Sequence, residues 1–455
     1  MENKDIVQNN TNFEKIKKVH FVGIGGVSVS ALARLSMDLG MTVSGSDVVT
    51  TICLYNLQRE GVGIHIGHLD SNIPEGCDLV VYSGAVDKRN IELVTARKLG
   101  IPTMERSEYL ALLASRYDNV IAVSGSHGKT STTAMIGHIF AVAKLNPTVH
   151  LGGTSLNFGA LRLGGKGVFV TEACEYRESM GTLNPNTTVI TNIDNDHLDY
   201  YKTKKNLISA FQRLDHKTKD NVVVGSERLL RWKYRTNNLV SAGLNAKQDV
   251  YAYDITQKDN GYVFKISAYG KSLGKFRLNQ YGKHNVRNAV FAISVALLYG
   301  ISHRTIKKAL KTYKGVERRY ERVSTFGSIP IISDYAHHPT EIDSSLRGLK
   351  SHFNNILVVF QPHTYSRTKI LLDQFAKCFA DAKTVIIYPT YPARERYDAS
   401  GDEKTLYNAI TNKDKYLAED TQAVRDIVCE CSRHKKYDCI VLMGAGDMPQ
   451  LLRDF

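Results

Sequence analysis

Apolar positions along this chain switch repeatedly between the period of a strand and the period of a helix. KKVHFVGIGG is a β-branched and aromatic run ending in glycines, and VSVSALARLSMDLG follows with helical spacing and a closing Gly40. MTVSGSD predicts the next strand, and the alternation continues through CDLVVYSGAV and IPTMERSEYLALLA to about residue 115. A second block, 116–316, holds VIAVSGSHGKTSTTAMIGHIF and the strands GVFVTEA and TTVITNI. It also holds Asn260-Gly261, a pair that suits a type I′ hairpin turn. In its helix HNVRNAVFAISVALLYG, Val286, Ala289, Val290, Ile293 and Leu297 share one face ahead of Gly300. The third block, 317–455, reads as buried strands in NNILVVFQPH, KTVIIYPTY and YDCIVLMGAGD, with helical stretches such as KILLDQFAKCFADA between them. Strands alternating with helices imply parallel sheets with helical crossovers, an α/β fold repeated along the chain.

Composition narrows the class. At 455 residues the chain is too long for one ordinary core, and three domains are the natural division. No run of about 18 apolar residues occurs, so no membrane-spanning helix is expected. MENKDIVQNNTNFEKIKK lacks the apolar core of a secretory signal. Seven scattered cysteines, an odd number, argue against a disulfide framework and for a reducing cytoplasm. Cys429, Cys431, His434 and Cys439 do not read as a zinc site. Val424, Ile427, Val428 and Cys431 fall at i, i+3, i+4 and i+7, the buried stripe of a helix, and paired-cysteine spacing is absent. The formal charge of +14 attracts anions, but the basic residues are dispersed and form no dense run. Polyphosphate ligands account for part of that excess, and no nucleic acid is expected.

The candidate chemistry sits where strands end. In SGSHGKTS, Gly128-Lys129-Thr130 follows a good strand and opens a good helix, as a phosphate-binding loop requires. A standard Walker A loop would have glycine at Val123; here the earlier glycine is Gly125. GIGGVSVS offers Gly23 and Gly25 at a helix start with Asp47 downstream, but Ser28 stands where a dinucleotide fingerprint has its third glycine. Glu172 ends one strand and His197 follows another; magnesium prefers oxygen ligands, which suits Glu172. Asn285 and Asn288 lie three apart at a helix start, a spacing that can read a base edge. Arg319 stands near the junction of the second and third blocks. His337-His338-Pro339, His363 and Arg367 sit near strand ends, where open α/β sheets bind ligands.

Taken in order, HFVGIGG, SGSD, VSGSHGKTSTT, TEACE, TNIDNDHLDYY, GKHNVRNA, GVERRYE, SDYAHHPTEI, FQPHTYSRT and GAGD resemble the Mur ligase family and span nearly the whole chain. The resemblance implies an α/β protein of three domains. These would be a Rossmann-like UDP-sugar domain (1–115), a central P-loop ATPase domain with a mostly parallel sheet (116–316) and a Rossmann-like amino-acid domain (317–455). It implies that Gly25, Gly26, Asp47, His68, Ser83 and Arg106 lie around the UDP-sugar. Gly125, Ser126, His127, Gly128, Lys129, Thr130 and Ser131 would hold ATP phosphates. Thr130, Glu172 and His197 would hold Mg²⁺, and His284, Asn285 and Asn288 would contact adenine. Arg319 and Asp334 would close on the nucleotide, and Tyr335, His337, His363 and Arg367 would border the amino-acid site. Three departures stand out. Ser28-Val29 replaces a Gly-Met usual in the family, Cys174 replaces an aspartate, and Thr364 stands where some members have arginine.

The last three motifs together favour the member that adds L-alanine over later-acting relatives. The implied reaction joins L-alanine to the lactoyl carboxylate of UDP-N-acetylmuramate through an acyl phosphate made from ATP. Lys129 and Arg319 would neutralise charge, with His337 or His363 as the base. The partners are then UDP-N-acetylmuramate, L-alanine and ATP, with no membrane, and the chain is expected as a monomer or weak homodimer. The runner-up within the family joins a preformed peptide to the same sugar nucleotide. Two rivals outside it are a nicotinamide-dependent dehydrogenase, suggested by GIGG and Asp47, and a basic nucleic-acid-binding ATP switch, suggested by the charge.

Overall fold

The computed structural model describes residues 13–194, 198–225, 234–236, 238–258, 261–393, 395–434, 436–446, 448 and 451. The chain forms two compact units. The first comprises residues up to Ile255 with Val263–Arg277 and Arg287–Lys314; the second comprises Thr256–Tyr262, Leu278–Val286 and Gly315–Phe455.

The first unit carries two sheets. The N-terminal sheet has strands β1 (Lys18–Val22), β2 (Thr42–Asp47), β3 (Gly63–Ile66), β4 (Leu79–Tyr82) and β5 (Thr103–Glu105). They lie in the order β3-β2-β1-β4-β5, every pair parallel. This is the doubly wound order in which the ligand crevice opens beyond the carboxyl end of β1. Helix α1 (Val27–Asp38) leaves the glycine turn after β1, and α2 (Arg106–Ala114) follows β5. Gly40, at φ +86°, ends the α1 turn as its position in the sequence foretold.

The central sheet is built from β6 (Asn119–Ser124), β7 (Thr148–Ser155), β8 (Gly159–Arg162), β9 (Val168–Glu172), β10 (Thr187–Ile190), β11 (Asn221–Val224), β12 (Asn238–Gly243), β13 (Val250–Lys258), β14 (Gly261–Ala268) and β15 (Lys271–Leu278). Their order is β15-β14-β13-β12-β11-β10-β6-β9-β7-β8. The run from β12 to β7 is parallel, and β8 turns back antiparallel on β7. The strands around β6 are apolar almost throughout, because a parallel sheet is covered on both faces. Helix α3 (Lys129–Val142) follows β6, and α4 (Lys283–Leu298) follows β15. Asn260 of the expected hairpin turn lies outside the described residues; β13 and β14 on either side of it are neighbours. Helix α1 packs on β7 and β8, and buried Val19, Phe21 and Leu32 belong to the same apolar cluster as Phe169 and Ile190. That shared core explains why two sheets make one compact unit.

The second unit holds β16 (Glu321–Phe326), β17 (Ile329–Asp334), β18 (Ile356–Phe360), β19 (Thr384–Ile387), β20 (Lys415–Leu417) and β21 (Cys439–Met443), in the order β16-β17-β21-β18-β19-β20. Only β16 runs antiparallel to its neighbour. In β18 the alternate residues Ile356, Val358 and Phe360 face one apolar cluster, and Leu357 and Val359 face the other. Helices α5 (Pro339–Lys350) and α6 (Thr421–His434) cover the sheet. Val424, Val428 and Cys431 of α6 are buried with Ile427 packed beside them, the apolar stripe that the spacing predicts. The stretch expected as one helix at KILLDQFAKCFADA is two short helices, Tyr365–Ile370 and Leu372–Cys378, broken where Leu371 leaves helical geometry at φ −108°, ψ 18°.

Candidate active site

Between β9 and β10 the chain crosses from one side of β6 to the other, so the carboxyl ends of these three strands meet at a topological switch point. Loop 125–128 leaves β6, Glu172 ends β9, and residues 191–194 follow β10. Gly125 has φ +130°, and a Cβ there would lie 2.1 Å from the Thr191 Oγ1. Gly128 has φ +84° and caps α3, and its Cβ would meet the Asn288 Oδ1 at 2.6 Å. Both positions therefore require glycine, for conformation and for space. Asn192 braces the loop: its Oδ1 accepts from the His127 backbone N–H (3.0 Å) and its Nδ2 donates to the His127 carbonyl (2.8 Å). The Ser126 hydroxyl accepts from the Asp194 N–H (2.9 Å), and the His127 Nε2 lies 3.3 Å from the Asp194 carboxylate. Ser131 lies buried in the first turn of α3. The result is a preformed ring of backbone at a helix N-terminus, which favours anions.

Lys129 folds back over this loop. Its Nζ donates to the Gly125 carbonyl (2.6 Å) and pairs with the buried Glu175 (2.9 Å). Burial would depress its ammonium, but Glu175, with Cys174 and Glu172 nearby, outweighs that and raises its pKa, so the charge is fixed. Beside it the Thr130 hydroxyl donates to the Glu172 Oε2 (2.9 Å), and the Glu172 Oε1 accepts from the Gly152 N–H (2.6 Å). His197, the remaining expected metal ligand, lies outside the described residues. Cys174 is pushed up by burial first and then by Glu175, so the thiol is neutral where a carboxylate was expected.

The glycine turn after β1 faces the same region. The Gly25 N–H donates to the Asp47 Oδ2 (2.8 Å), and Asp47 also accepts from the Val48 N–H (2.8 Å). Gly26 begins α1 with no side-chain cap, leaving its first amides open. Ser83 sits 3.1 Å from where a Gly23 Cβ would be. His68 is pinned at 3.2 Å to Glu92, a fully buried carboxylate that also accepts from Ser46 and Asn72 (2.7 Å each). Burial pushes the Glu92 carboxyl up, but hydrogen bonds from His20, Ser46 and Asn72 win and hold it at about 2. Arg106 donates to the Ser28 hydroxyl (3.2 Å), which also meets the buried His150 Nε2 (3.1 Å). Burial, with Arg106 nearby, lowers His150 to about 4, so it is a neutral link between the two sheets. A cavity of about 190 Å³ is lined by Ser28 and Arg106 from the N-terminal layer and by Lys129, His150, Glu172 and Cys174 from the central one. The first turn of α1, through Ser28, and the first residue of α3, Lys129, thus line one cavity.

In the second unit, Arg318 and Arg319 lie over the Tyr335 ring, 4.9 and 5.1 Å from its centroid. Arg318 also donates to the Gly444 carbonyl. Tyr335, His337, His363 and Arg367 come together: Tyr335 and His337 rings are 5.4 Å apart, His337 and His363 5.5 Å, and the Arg367 Nη1 donates to the His363 Nδ1 at 2.9 Å. Arg318, Tyr320 and Thr364 all hold positive φ (55°, 55° and 68°), strain of the kind that collects at functional sites. Asp334 is buried, its oxygens accepting from the Ala336 N–H (2.8 Å), the Tyr320 N–H and the Ser345 hydroxyl. The three residues expected at adenine divide between the units. Asn288 belongs to the first and lies against Gly128; His284, 5.2 Å from Tyr320, and Asn285, bonded to the Tyr281 carbonyl (2.8 Å), belong to the second. Sequence reasoning missed Glu175, His150, Glu92 and Glu341. Glu175 was legible as the second acid of TEACE. His150 and Glu92 act through partners too far along the chain to be paired by spacing.

A phosphate-type loop at a switch point, with the following Lys129 lining one cavity beside Ser28 of α1, defines the class as a nucleotide-binding α/β protein. Comparison with known proteins narrows this. The family descriptions "Mur ligase family, catalytic domain", "Mur ligase middle domain" and "Mur ligase, glutamate ligase domain" match residues 18–118, 123–296 and 318–446. The chain is 38% identical over 445 residues to UDP-N-acetylmuramate–L-alanine ligase of Acetivibrio thermocellus, covering 95% of this chain and 94% of that one. It is 37% identical to the protein of that name from Caldanaerobacter subterraneus, covering 98% of each. The crystal structure of UDP-N-acetylmuramate-alanine ligase MurC from Thermotoga maritima superposes with a TM-score of 0.82 at 29% identity, covering 96% of this chain and 98% of that one. A murein peptide ligase from Psychrobacter arcticus shares the fold at a TM-score of 0.70 and 24% identity. The chain belongs to the Mur ligase family.

Proposed function

We propose that this protein is an ATP-dependent ligase that joins L-alanine to the lactoyl carboxylate of UDP-N-acetylmuramate in peptidoglycan precursor synthesis. The observation that carries the reading is the shared cleft, in which Lys129 and Glu172 face Ser28 and Arg106. The full-length similarity to L-alanine-adding ligases supports it. ATP phosphates bind over loop 125–128, with the Lys129 ammonium exchanging Glu175 for phosphate oxygens. The UDP diphosphate sits on the uncapped amides that begin α1 at Gly26. The sugar's carboxylate then attacks the γ-phosphorus in the cleft, and ADP leaves. Such a transfer is mostly positioning and charge neutralisation, to which Lys129 contributes at the loop.

The hydroxyl of Thr130 and carboxylate of Glu172, 2.9 Å apart at the loop, are hard oxygen donors that fit a magnesium ion. With His197 they would hold it, and when bound it neutralises phosphate charge. L-Alanine is held in the second unit with its carboxylate on Arg367 and its amine toward the histidine pair. No described helix is long and apolar enough to cross a membrane. The free cysteines suit the reducing cytoplasm, where we place the reaction. Purified protein is incubated with UDP-N-acetylmuramate, ATP, Mg²⁺ and single amino acids or a preformed peptide. Phosphate release with an L-alanyl product mass is expected. Product with the peptide alone would overturn the reading in favour of a peptide-adding ligase.

A further inference from the structure

We infer that Glu341 is a positioning residue that fixes His337 in the tautomer able to take a proton from the L-alanine amine, while His363 is held as a hydrogen-bond donor. This rests on the ligase reading above, and the sequence alone left the two histidines equivalent as bases. The hydrogen bonds separate them. The His337 Nδ1 lies 2.9 Å from the Tyr335 carbonyl and 3.4 Å from the Glu341 Oε2. Both partners are acceptors, so Nδ1 carries the proton and Nε2 carries the lone pair. The His363 Nδ1 is instead 2.9 Å from the Arg367 Nη1. A guanidinium only donates, so this Nδ1 carries the lone pair and Nε2 the proton. One imidazole is therefore a base at its outer nitrogen and the other a donor, with their rings 5.5 Å apart.

The local sequence builds this arrangement. Pro339 starts α5, the His338 side chain caps it, and Glu341 falls in the first turn. From there its carboxylate reaches back to accept the His337 backbone N–H as well (3.2 Å), fixing the backbone and ring of one residue together. Glu341 is only 12% exposed on its side chain, so its charge acts with little screening. Tyr335, Glu341, His363, Arg319 and Arg367 surround the His337 ring. Burial, with Arg367 and Arg319, lowers the imidazole to about 4, and Glu341 opposes them. Negative charge arriving on Arg367 with the L-alanine carboxylate weakens the depressing field when the base is needed.

The step balances as follows. L-Alanine enters as the ammonium, and one proton passes to the His337 Nε2, freeing the nitrogen lone pair. That pair forms the C–N bond to the acyl carbon. As the adduct collapses, the C–O bond to phosphate breaks, and phosphate leaves with the electron pair. The second nitrogen proton goes to the phosphate, giving hydrogen phosphate. The imidazolium, stabilised by Glu341, releases its proton to solvent.

Hydroxylamine tests this, because its amine is already neutral at neutral pH and captures an acyl phosphate as the hydroxamate without a base. Full-length protein is assayed for L-alanine ligation and for hydroxamate formation. Glu341→Gln and His337→Gln are expected to lower the ratio of the two rates at least tenfold. In Glu341→Gln the acid limb of kcat/KM for L-alanine is also expected to move to lower pH, since a carboxylate no longer raises the His337 pKa. His363→Gln is expected to raise KM for L-alanine more than it lowers kcat. A wild-type ratio in Glu341→Gln overturns the inference, as does a ratio lost in His363→Gln and kept in His337→Gln. If Glu341→Gln yields neither product, His337→Gln decides by the same ratio. Failure of the wild-type protein to form hydroxamate is a separate outcome, and it would refute the acyl-phosphate reading itself.

Discussion

The ion pair between Lys129 and Glu175 makes a measurable claim about stability as well as catalysis. Lys129 is 15% exposed and Glu175 1% exposed, with 2.9 Å between their charged atoms. Lys129→Met removes the ammonium and breaks this buried pair from one side. Removing one partner of a buried pair costs about 3–5 kcal/mol. For domains of about 150–250 residues each kcal/mol is worth roughly 2–4 °C, so the midpoint should fall by roughly 6–20 °C. Glu175→Gln is milder, since Lys129 keeps the Gly125 and Ser126 carbonyls at 2.6 and 3.2 Å. The double variant Lys129→Met/Glu175→Gln removes both charges and should recover about 2 kcal/mol or more of the loss seen with Lys129→Met alone. Thermal unfolding without nucleotide reads the stability cycle, and phosphate release reads activity. Ligation should collapse in both proteins that lack Lys129, whatever their stability, while UDP-sugar binding survives. Strictly additive midpoints would refute the buried-pair argument. Ligation at a wild-type rate in the more stable double variant would refute the assignment of Lys129 to phosphate.

Three further outcomes are expected. Gly125→Ala forces a Cβ to 2.1 Å from the Thr191 Oγ1 at φ +130°, so ATP affinity measured by calorimetry should be lost while the N-terminal layer still binds the UDP-sugar. Glu172→Gln and Thr130→Val should each raise the Mg²⁺ concentration giving half-maximal rate, read by titrating the metal at saturating ATP. Glu92 is held near 2 against an ordinary 4.5, which corresponds to about 3 kcal/mol of stability present above that ordinary value and lost as pH falls toward 2. Glu92→Gln should therefore flatten the acid side of the stability curve, measured as urea midpoints between pH 5 and pH 3.

Local periodicity and turn chemistry made most of the strands legible. The apolar runs at 18–22, 119–124, 356–360 and 439–443 are buried on both faces and need no partner to be recognised. Gly25, Gly125 and Gly128 announced their loops because a backbone conformation or a close approach tolerates nothing larger. The apolar stripe on α6 is buried as its spacing predicted, by the same local logic.

What the linear order of residues cannot express is which distant groups become neighbours and how they share protons. Three motif blocks were readable, yet packing of α1 on β7 merges the first two layers into one unit and assigns the start of α4 to the other. Ser28 meets His150 across 122 positions, and Glu92 is held by His20 across 72. His337 and His363 looked alike as titratable residues; a carbonyl and carboxylate beside one, and a guanidinium beside the other, set opposite tautomers. Patterning is a property of neighbours along the chain, so it survives without a fold. Hydrogen-bond partners and local fields are properties of neighbours in space, so only the folded chain decides them.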